Sequence, residues 1–506
     1  MSEASHVIGL LLGTEEDWPR AFETLLGRLG PVKDASGTTH HIDVERITIE
    51  PFDLRGKPRY DFVIDRLAYW YYVPREWLKK VALMDDVYLL NSPFTFQSME
   101  KHAAYCAMLR LGLKVPQTVL VPQKVPPDNT RFAYTAAKYN RPFDLEEIAK
   151  QIGYPLFMKP YDGGQWVGVS HIANPTELKR AYDSSGQRLM HLQAAVDDFD
   201  VFARSLSIGA ETMVMKFRPD LPMHNRYAVD HEFLTAEMGD EVLTISRLIN
   251  AFFRWEFNSC ETLVRGTEAH PIDYANASPD VAITSLHHYF PWAIKALLRW
   301  CVFCVVTDRV PRLDLDTRRY FEIGDRADLT YQEKLASYRK LADEYFEVER
   351  YQDFCDSRIP HVDEMVSEWV ASPEFDDLLV ETGAHDLPAA RARAVRRALA
   401  RAHHCLTAQS WRRSMRGARH GRRTPGGPSR SLPSGPFRTT STCRSAPAGA
   451  LPASRTSQCR STALPLDREN GSGSQLAGSS ITYWCASSRR VLVGEGVVGQ
   501  AMQPAR

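Results

Sequence analysis

The stretch YPLFMKPYDGGQWVGVS, residues 154–170, ends a short apolar run in Lys159 and then loosens into Gly163, Gly164 and Gly168. A loop with so little side-chain bulk lets its N–H groups approach a ligand closely. Successive N–H groups form concavities that hold anions, and the lysine adds a mobile point charge. Together these residues point to a polyphosphate clamp. The plainer alternative is a strand, a turn and a hairpin partner. The clamp is not a P-loop, because GxxxxGK[ST] occurs nowhere in the chain.

The elements that would position this lysine follow from periodicity. HVIGLLLG reads as a strand, EDWPRAFETLLGRLG as a helix stopped by glycine, YDFVIDRL as a strand, PREWLKKVALMDD as a helix and VYLLNSP as a strand. This alternation predicts a small parallel α/β layer over residues 1–95. SMEKHAAYCAMLRLG predicts a helix ended by Gly112, and residues 122–145 read as a loop rich in proline and polar residues. FDLEEIAKQIG and TELKRAYDSSG predict helices, and HLQAAV and FDVFARSLSIG strands. CETLVRGTEAHPIDYAN predicts a hairpin. Residues 330–355 and 361–380 predict amphipathic helices of mixed charge.

The 506 residues carry 62 basic and 62 acidic side chains, unevenly placed. Residues 401–506 hold 16 Arg, no Lys and three acids, leaving 46 basic and 59 acidic residues before them. An acidic body argues against a duplex nucleic-acid footprint. The tail is rich in Arg, Ser, Pro and Gly, a composition expected of a disordered segment and also of an out-of-frame reading. A basic arm for RNA is the functional alternative. Cys301 and Cys304 form a lone CxxC in an apolar run, better read as buried helix cysteines than as zinc ligands. Lys295 and Arg299 interrupt the most membrane-like segment near its middle, which argues for a buried helix. The N-terminus lacks a basic region and reads as a strand, not a signal peptide. A cytoplasmic chain without a membrane partner is expected, with a homo-oligomer left open.

Set in order, the helix with Lys101, the lysine–glycine stretch, HLQAAVDDFDVF and the hairpin resemble the ATP-grasp superfamily, especially its RimK-like and glutathione-synthase-like ligases. The resemblance covers roughly residues 85–310. It implies an α/β (α+β) ATP-grasp fold at 96–310, with a pre-grasp-like layer at 1–95, a helical extension at 311–395 and the tail at 396–506. It implies that Lys101 and Lys159 hold nucleotide phosphates under the loop of Gly163, Gly164 and Gly168. Gln193 would stand at the adenine hinge, where the family often has an acid. Ala194–Val196 would contact the base through the backbone, and Asp200 would accept a ribose hydroxyl. Glu261, Asp273 and Asn276 fall at the family's metal positions. The usual E-x-N is here Asp273-Tyr274-Ala275-Asn276, one residue longer, and Glu256 with Asn258 offers an alternative register.

The metal positions have their own physics. Mg²⁺ takes oxygen ligands and keeps several waters; Mn²⁺ would suit the same donors. A short turn can return Asp273 to the face of Glu261, and a cation resolves the repulsion of two neighbouring carboxylates. Lys216, Arg226 and Arg254 are further candidates for charge on a transferring phosphoryl group. The expected activity is an ATP-dependent ligase joining a carboxylate to an amine through an acyl phosphate, on small-molecule or peptide substrates. The alternative is an ATP-binding regulatory protein without ligase chemistry.

Overall fold

The computed structural model describes residues 2–95, 100–164, 166–222, 225–276 and 279–382. The expectations placed on the 396–506 tail lie outside the described residues. The first layer runs β1 (Glu3–Leu11), α1 (Asp17–Leu29), β2 (Val32–Lys33), β3 (Thr39–Arg46), β4 (Phe62–Asp65), α2 (Tyr72–Met84) and β5 (Tyr88–Leu90). Its sheet has the order β2-β3-β1-β4-β5, with β1 parallel to β3 and β4, and β4 parallel to β5. β1 is central, and its apolar end Ile8, Leu10 and Leu11 is wholly buried, as a strand covered on both faces requires. α1 buries Trp18, Ala21, Phe22, Leu25, Leu26 and Leu29, three and four residues apart.

A second, four-stranded sheet follows. Its elements are α3 (Lys101–Arg110), β6 (Thr118–Val121), α4 (Thr130–Tyr139), α5 (Leu145–Ile152), β7 (Leu156–Pro160), β8 (Ser170–Ile172), α6 (Pro175–Ser184) and β9 (Met190–Ala194). The strands pair antiparallel in the order β6-β9-β7-β8 and enclose a small core of their own, with Val121, Leu156, Met158 and Leu192. α4 corrects the expectation of a loop at 122–145. The Asn129 side chain caps it by accepting from the N–H groups of Arg131 and Phe132, yet no residue of α4 is buried. With Phe132 and Ala136 only half-buried and its other residues exposed, the helix has a weak apolar face set among polar residues and prolines.

The third sheet is built from β10 (Val201–Ile208), β11 (Glu211–Phe217), β12 (Tyr227–Ala228), β13 (Phe257–Arg265) and β14 (Glu268–Asp273), in the order β12-β11-β10-β13-β14. α7 (Ala236–Phe253) intervenes after β12 and packs on this sheet. The helices α8 (Ile283–Leu286), α9 (Phe290–Val306), α10 (Thr317–Gly324), α11 (Tyr331–Tyr345), α12 (Val348–Arg358), α13 (Val362–Val370) and α14 (Pro373–Thr382) complete the described chain.

α9 is buried along its whole length, Cys301 and Cys304 included. By length and composition Ile283–Val306 could cross a membrane, but the protein buries all of its apolar window. Lys295 and Arg299 both reach Asp363 of α13, at 2.6 and 2.9 Å. α1 of the first layer packs on α9, α13 and α14. The last helices therefore share the core of the first layer rather than hanging from its edge.

One buried carboxylate ties these parts together. Glu256, just before β13, accepts from Tyr88 Oη at 2.7 Å, Trp300 Nε1 at 3.0 Å, Tyr345 Oη at 2.7 Å and Arg309 Nη1 at 2.8 Å. Its donors come from β5, α9, the segment after α9, and α11. Burial pushes the Glu256 carboxyl up to about 7, against the opposing hydrogen bonds of Tyr345 and Trp300.

Candidate functional site

β7 carries Lys159 into the interior, where its ammonium donates to Gln193 Oε1 of β9 at 2.8 Å. Gln193 Nε2 in turn donates to Thr118 Oγ1 of β6 at 2.8 Å. The Gln193 amide thus bridges Lys159 and Thr118. Burial draws the Lys159 pKa down, and Asp273 and Glu261 oppose it. Lys101 opens α3. Its backbone N–H donates to Tyr161 O at 2.9 Å, fixing the helix start to the end of β7. Its ammonium donates to Gly163 O at 2.9 Å and lies 3.2 Å from Asp273 Oδ2. Lys101 therefore meets Asp273 of the third sheet directly, while Lys159 lies within the electrostatic reach of Asp273 and Glu261.

The carboxylates share a face because of an irregularity in the hairpin. From the turn, Arg265 pairs with Glu268, Val264 with Ala269, Leu263 with His270 and Thr262 with Pro271. An even ladder would next set Glu261 against Ile272. A bulge sets it against Asp273 instead, and directly opposite residues of a ladder point to one face. Bulges re-aim side chains in this way. Burial raises the Glu261 pKa; Arg204 opposes the shift and Asp273 adds to it. Asn276 joins the same face. Its Nδ2 donates to Ser259 Oγ at 3.0 Å, and Ser259 alternates with Glu261 along β13. The Asn276 N–H donates to Asn258 Oδ1 at 2.9 Å, and Asn258 also binds Asn250 Oδ1 and Tyr274 O, at 2.8 and 2.9 Å. Tyr274 is buried, edge-on to Tyr105 at 5.6 Å. The two residues between Asp273 and Asn276 thus span a fixed loop that returns Asn276 to the carboxylate face. Glu256 and Asn258, the alternative register, are both committed to the core.

Arg204 was not foreseen. It stands opposite Glu261 in the β10–β13 ladder, with Nη1 3.6 Å from Glu261 Oε1. Its guanidinium lies over the rings of Phe217 and Tyr227, at 5.1 and 5.9 Å, and its Nε is buried without a hydrogen-bond partner. The signal was present in VFARSLSI: Phe202, Leu206 and Ile208 alternate with Arg204 on one buried face, and a cation among them needs a reason. His191 was also missed. It pairs with Lys159 across the β7–β9 ladder, and its Nε2 lies 3.2 Å from His102 Nδ1 of α3. Burial pushes it down to about 4, helped by His102 and the two lysines.

Other expected residues stand elsewhere. Lys216 pairs with Ala203 and Ala228, and so takes the face opposite Arg204 and Glu261; its ammonium binds Asp230 Oδ2 at 2.9 Å. Arg226 Nε donates to Leu221 O at 3.0 Å. Arg254 ends α7 in a left-handed conformation, donates to Ala251 O and Asp314 O, and lies over Tyr345, so it belongs with the Glu256 group. The placements of Lys216 and Arg254 correct the expectation of phosphoryl-facing cations for these two; Arg204 is a cation on the carboxylate face. Asp200 Oδ2 accepts from Gly266 N–H at 2.7 Å, pinning the hairpin turn. Val196 is buried with Phe202, Phe217 and Leu263. The N–H groups of Ala194 and Ala195 already donate to Gln117 O and Pro155 O. In the glycine loop Gly163 and Gly168 take positive φ. A Cβ at Gly168 would also come within 2.5 Å of Arg188 Nη1. Gly164 has open space around it.

An α/β chain that brings two lysines from one sheet and helix against two carboxylates of another has the parts of a phosphate-and-cation site. No family model matches the chain. The D-alanine–D-alanine ligase of Lactobacillus gasseri is 34% identical over 84 residues, 17% of this chain and 21% of the relative. That of Lactobacillus helveticus is 30% identical over 100 residues, 18% of this chain and 25% of the relative. The chain thus spans about a fifth to a quarter of the length of these curated relatives. A RimK-domain ATP-grasp protein of Sphaerobacter thermophilus aligns with a TM-score of 0.40 at 12% identity, over 60% of this chain and 99% of that one. The D-alanine–D-alanine ligase of Bacillus anthracis complexed with ATP aligns at 0.38 and 12%, over 69% and 100%. The Sphaerobacter thermophilus protein carries in its name the ATP-grasp superfamily whose motifs the sequence resembles.

Proposed function

We propose that this chain is an ATP-dependent ligase that joins a carboxylate to an amine. The observation that carries the reading is the meeting of Lys101 and Lys159 with Glu261 and Asp273. Phosphoryl transfer asks a protein mainly for positioning and charge neutralisation. In this reading both lysines hold phosphate oxygens of ATP, and the glycine loop covers them. The donor set of Glu261, Asp273 and Asn276 offers oxygen atoms only, which fits Mg²⁺ or Mn²⁺. The half-buried Glu261 carboxylate, held beside Asp273, is further reason for a cation there. Such a cation would neutralise charge on the phosphates.

A substrate carboxylate oxygen attacks the γ-phosphorus, the bond to ADP breaks, and an acyl phosphate forms. An amine nitrogen then attacks the acyl carbon, releasing inorganic phosphate and a proton. Arg204 replaces the earlier candidates as the cation facing the transferring group. The loop excludes water from the acyl phosphate. Substrates are small-molecule or peptide carboxylates and amines.

The test is incubation with MgATP and a panel of carboxylates in hydroxylamine. Hydroxamate and ADP, followed by an amide product when an amine replaces hydroxylamine, are expected. MgADP binding with neither hydroxamate nor amide from any pair would favour nucleotide binding without ligation. No MgADP binding at all would overturn the nucleotide site.

A further inference from the structure

The connection from β3 to β4, residues 47–61, has no helix or strand of its own. Loops of that length in a compact domain are uncommon and usually functional. This one is pinned at three places. Its ends sit on β1, where the Ile47 N–H donates to Leu10 O at 2.9 Å and the Asp61 N–H to Val7 O at 3.0 Å. Its tip is a turn in which Asp53 Oδ1 accepts from the Arg55 N–H at 2.9 Å and Asp53 O from the Gly56 N–H at 3.1 Å. The buried ammonium of Lys80, on α2, holds that tip by donating to Gly56 O, and it also donates to Asp85 Oδ2 at 2.5 Å. Gly9 of β1 lets the loop come down: a Cβ there would lie 2.6 Å from Ile47 Cδ1 and 3.0 Å from Tyr60 Cδ1.

The loop and α2 enclose a cavity of about 320 Å³, at the small end of the range of ligand pockets, roughly 300–1,000 Å³. Its apolar walls are Ile47, Phe52, Tyr60, Pro74 and Trp77, and the Tyr60 and Trp77 rings meet edge-on at 6.0 Å. Charged residues also line it. Arg59 is paired with Glu45, and Lys80 with Asp85. Lys57 and Glu50 have no ion pair or side-chain hydrogen bond among the described residues. A ligand of one sign would answer only one of these two. We propose that this cavity binds a small zwitterion with an apolar body, an amino acid, with Lys57 taking its carboxylate, Glu50 its ammonium and the aromatic walls its side chain. The cavity shares no residue with the lysine–carboxylate cluster, so the inference stands apart from the ligase reading.

The test is saturation-transfer NMR on the full chain with L-phenylalanine and L-leucine. Two analogues accompany them: 3-phenylpropionate, which lacks the amine, and phenethylamine, which lacks the acid. Saturable binding of at least one amino acid is expected. Phenylalanine should bind about tenfold more tightly than either analogue, the worth of one hydrogen bond to a charged group. Lys57→Ala should abolish the advantage of phenylalanine over phenethylamine, and Glu50→Ala its advantage over 3-phenylpropionate. Ile49→Trp, at an exposed position on the rim, should fill the cavity and remove amino-acid binding while the melting temperature is kept. No saturable binding of either amino acid to the wild type would overturn the proposal. Binding unchanged in Ile49→Trp would put the ligand elsewhere and overturn the site. Equal affinity for phenylalanine and both analogues would overturn the pairing of charges.

Discussion

Lys159 and Asp273 play separable parts, and single substitutions should separate them. Lys159→Ala removes a charged donor, and a hydrogen bond to a charged group is worth about 1.5–3 kcal/mol. MgADP affinity should fall by roughly ten- to a hundredfold by calorimetry, with the melting temperature nearly kept. Asp273→Asn should reduce ADP release far more than MgADP affinity, because cation stabilisation matters most as charge moves. Normal turnover of Asp273→Asn would remove it from the metal set. His191 predicts a pH dependence. Its folded pKa is about 4, below the 6.5 of a free imidazole. The unfolded chain therefore binds a proton between these values that the folded chain does not. The stability from His191 is fully present above pH 6.5 and is lost as pH falls towards 4. Melting temperatures from pH 8 to 4 should fall less steeply in His191→Gln than in the wild type.

Among elements, the β10–β11 hairpin shows how one turn is fixed from outside. Gly209 takes positive φ, and a Cβ there would overlap the Trp300 ring of α9. Gly209→Ala therefore meets both backbone strain and overpacking, and should cost about 2–4 kcal/mol in urea denaturation. The cost should shrink when Trp300 is also cut to leucine. Such tertiary constraints separate what the sequence disclosed from what it hid. The strands of the first layer, the lysine–glycine stretch and the hairpin were legible because apolar runs, glycines and turn signals are local. β3 was missed because THHIDVER alternates only weakly and much of it is exposed. α4 was missed because none of its residues is fully buried and it stands in a proline-rich polar stretch. The Glu261–Asp273 pairing was legible as a hairpin but not as a bulge, since the irregularity lies in hydrogen bonding rather than in residue type. Lys216 and Arg254 misled because a cation in a strand or helix does not declare its face or its partner until register and packing are known. Arg204 needed the alternation of a single strand to be taken seriously.

At the scale of the whole molecule, Glu256 is the node. Removing it leaves the Arg309 guanidinium buried, and breaking a buried pair by deleting one partner costs about 3–5 kcal/mol. Glu256→Ala should lower the urea midpoint sharply, and Arg309→Met in the same chain should restore part of the loss by removing a buried cation left with Glu347 as its carboxylate partner. The node also has a consequence in time. Its donors lie at positions 88, 300, 309 and 345, and its acceptor at 256. A chain leaving the ribosome cannot close this group until α11 has emerged, although β5 appeared more than two hundred residues earlier. Contacts this distant in sequence slow folding, and half-made intermediates expose apolar surface. The first layer must wait, with α1 uncovered, for α9, α13 and α14 to arrive. Ribosome-bound chains halted before residue 345 should be cut rapidly by protease within the first layer. Chains halted with α14 fully outside the tunnel should resist.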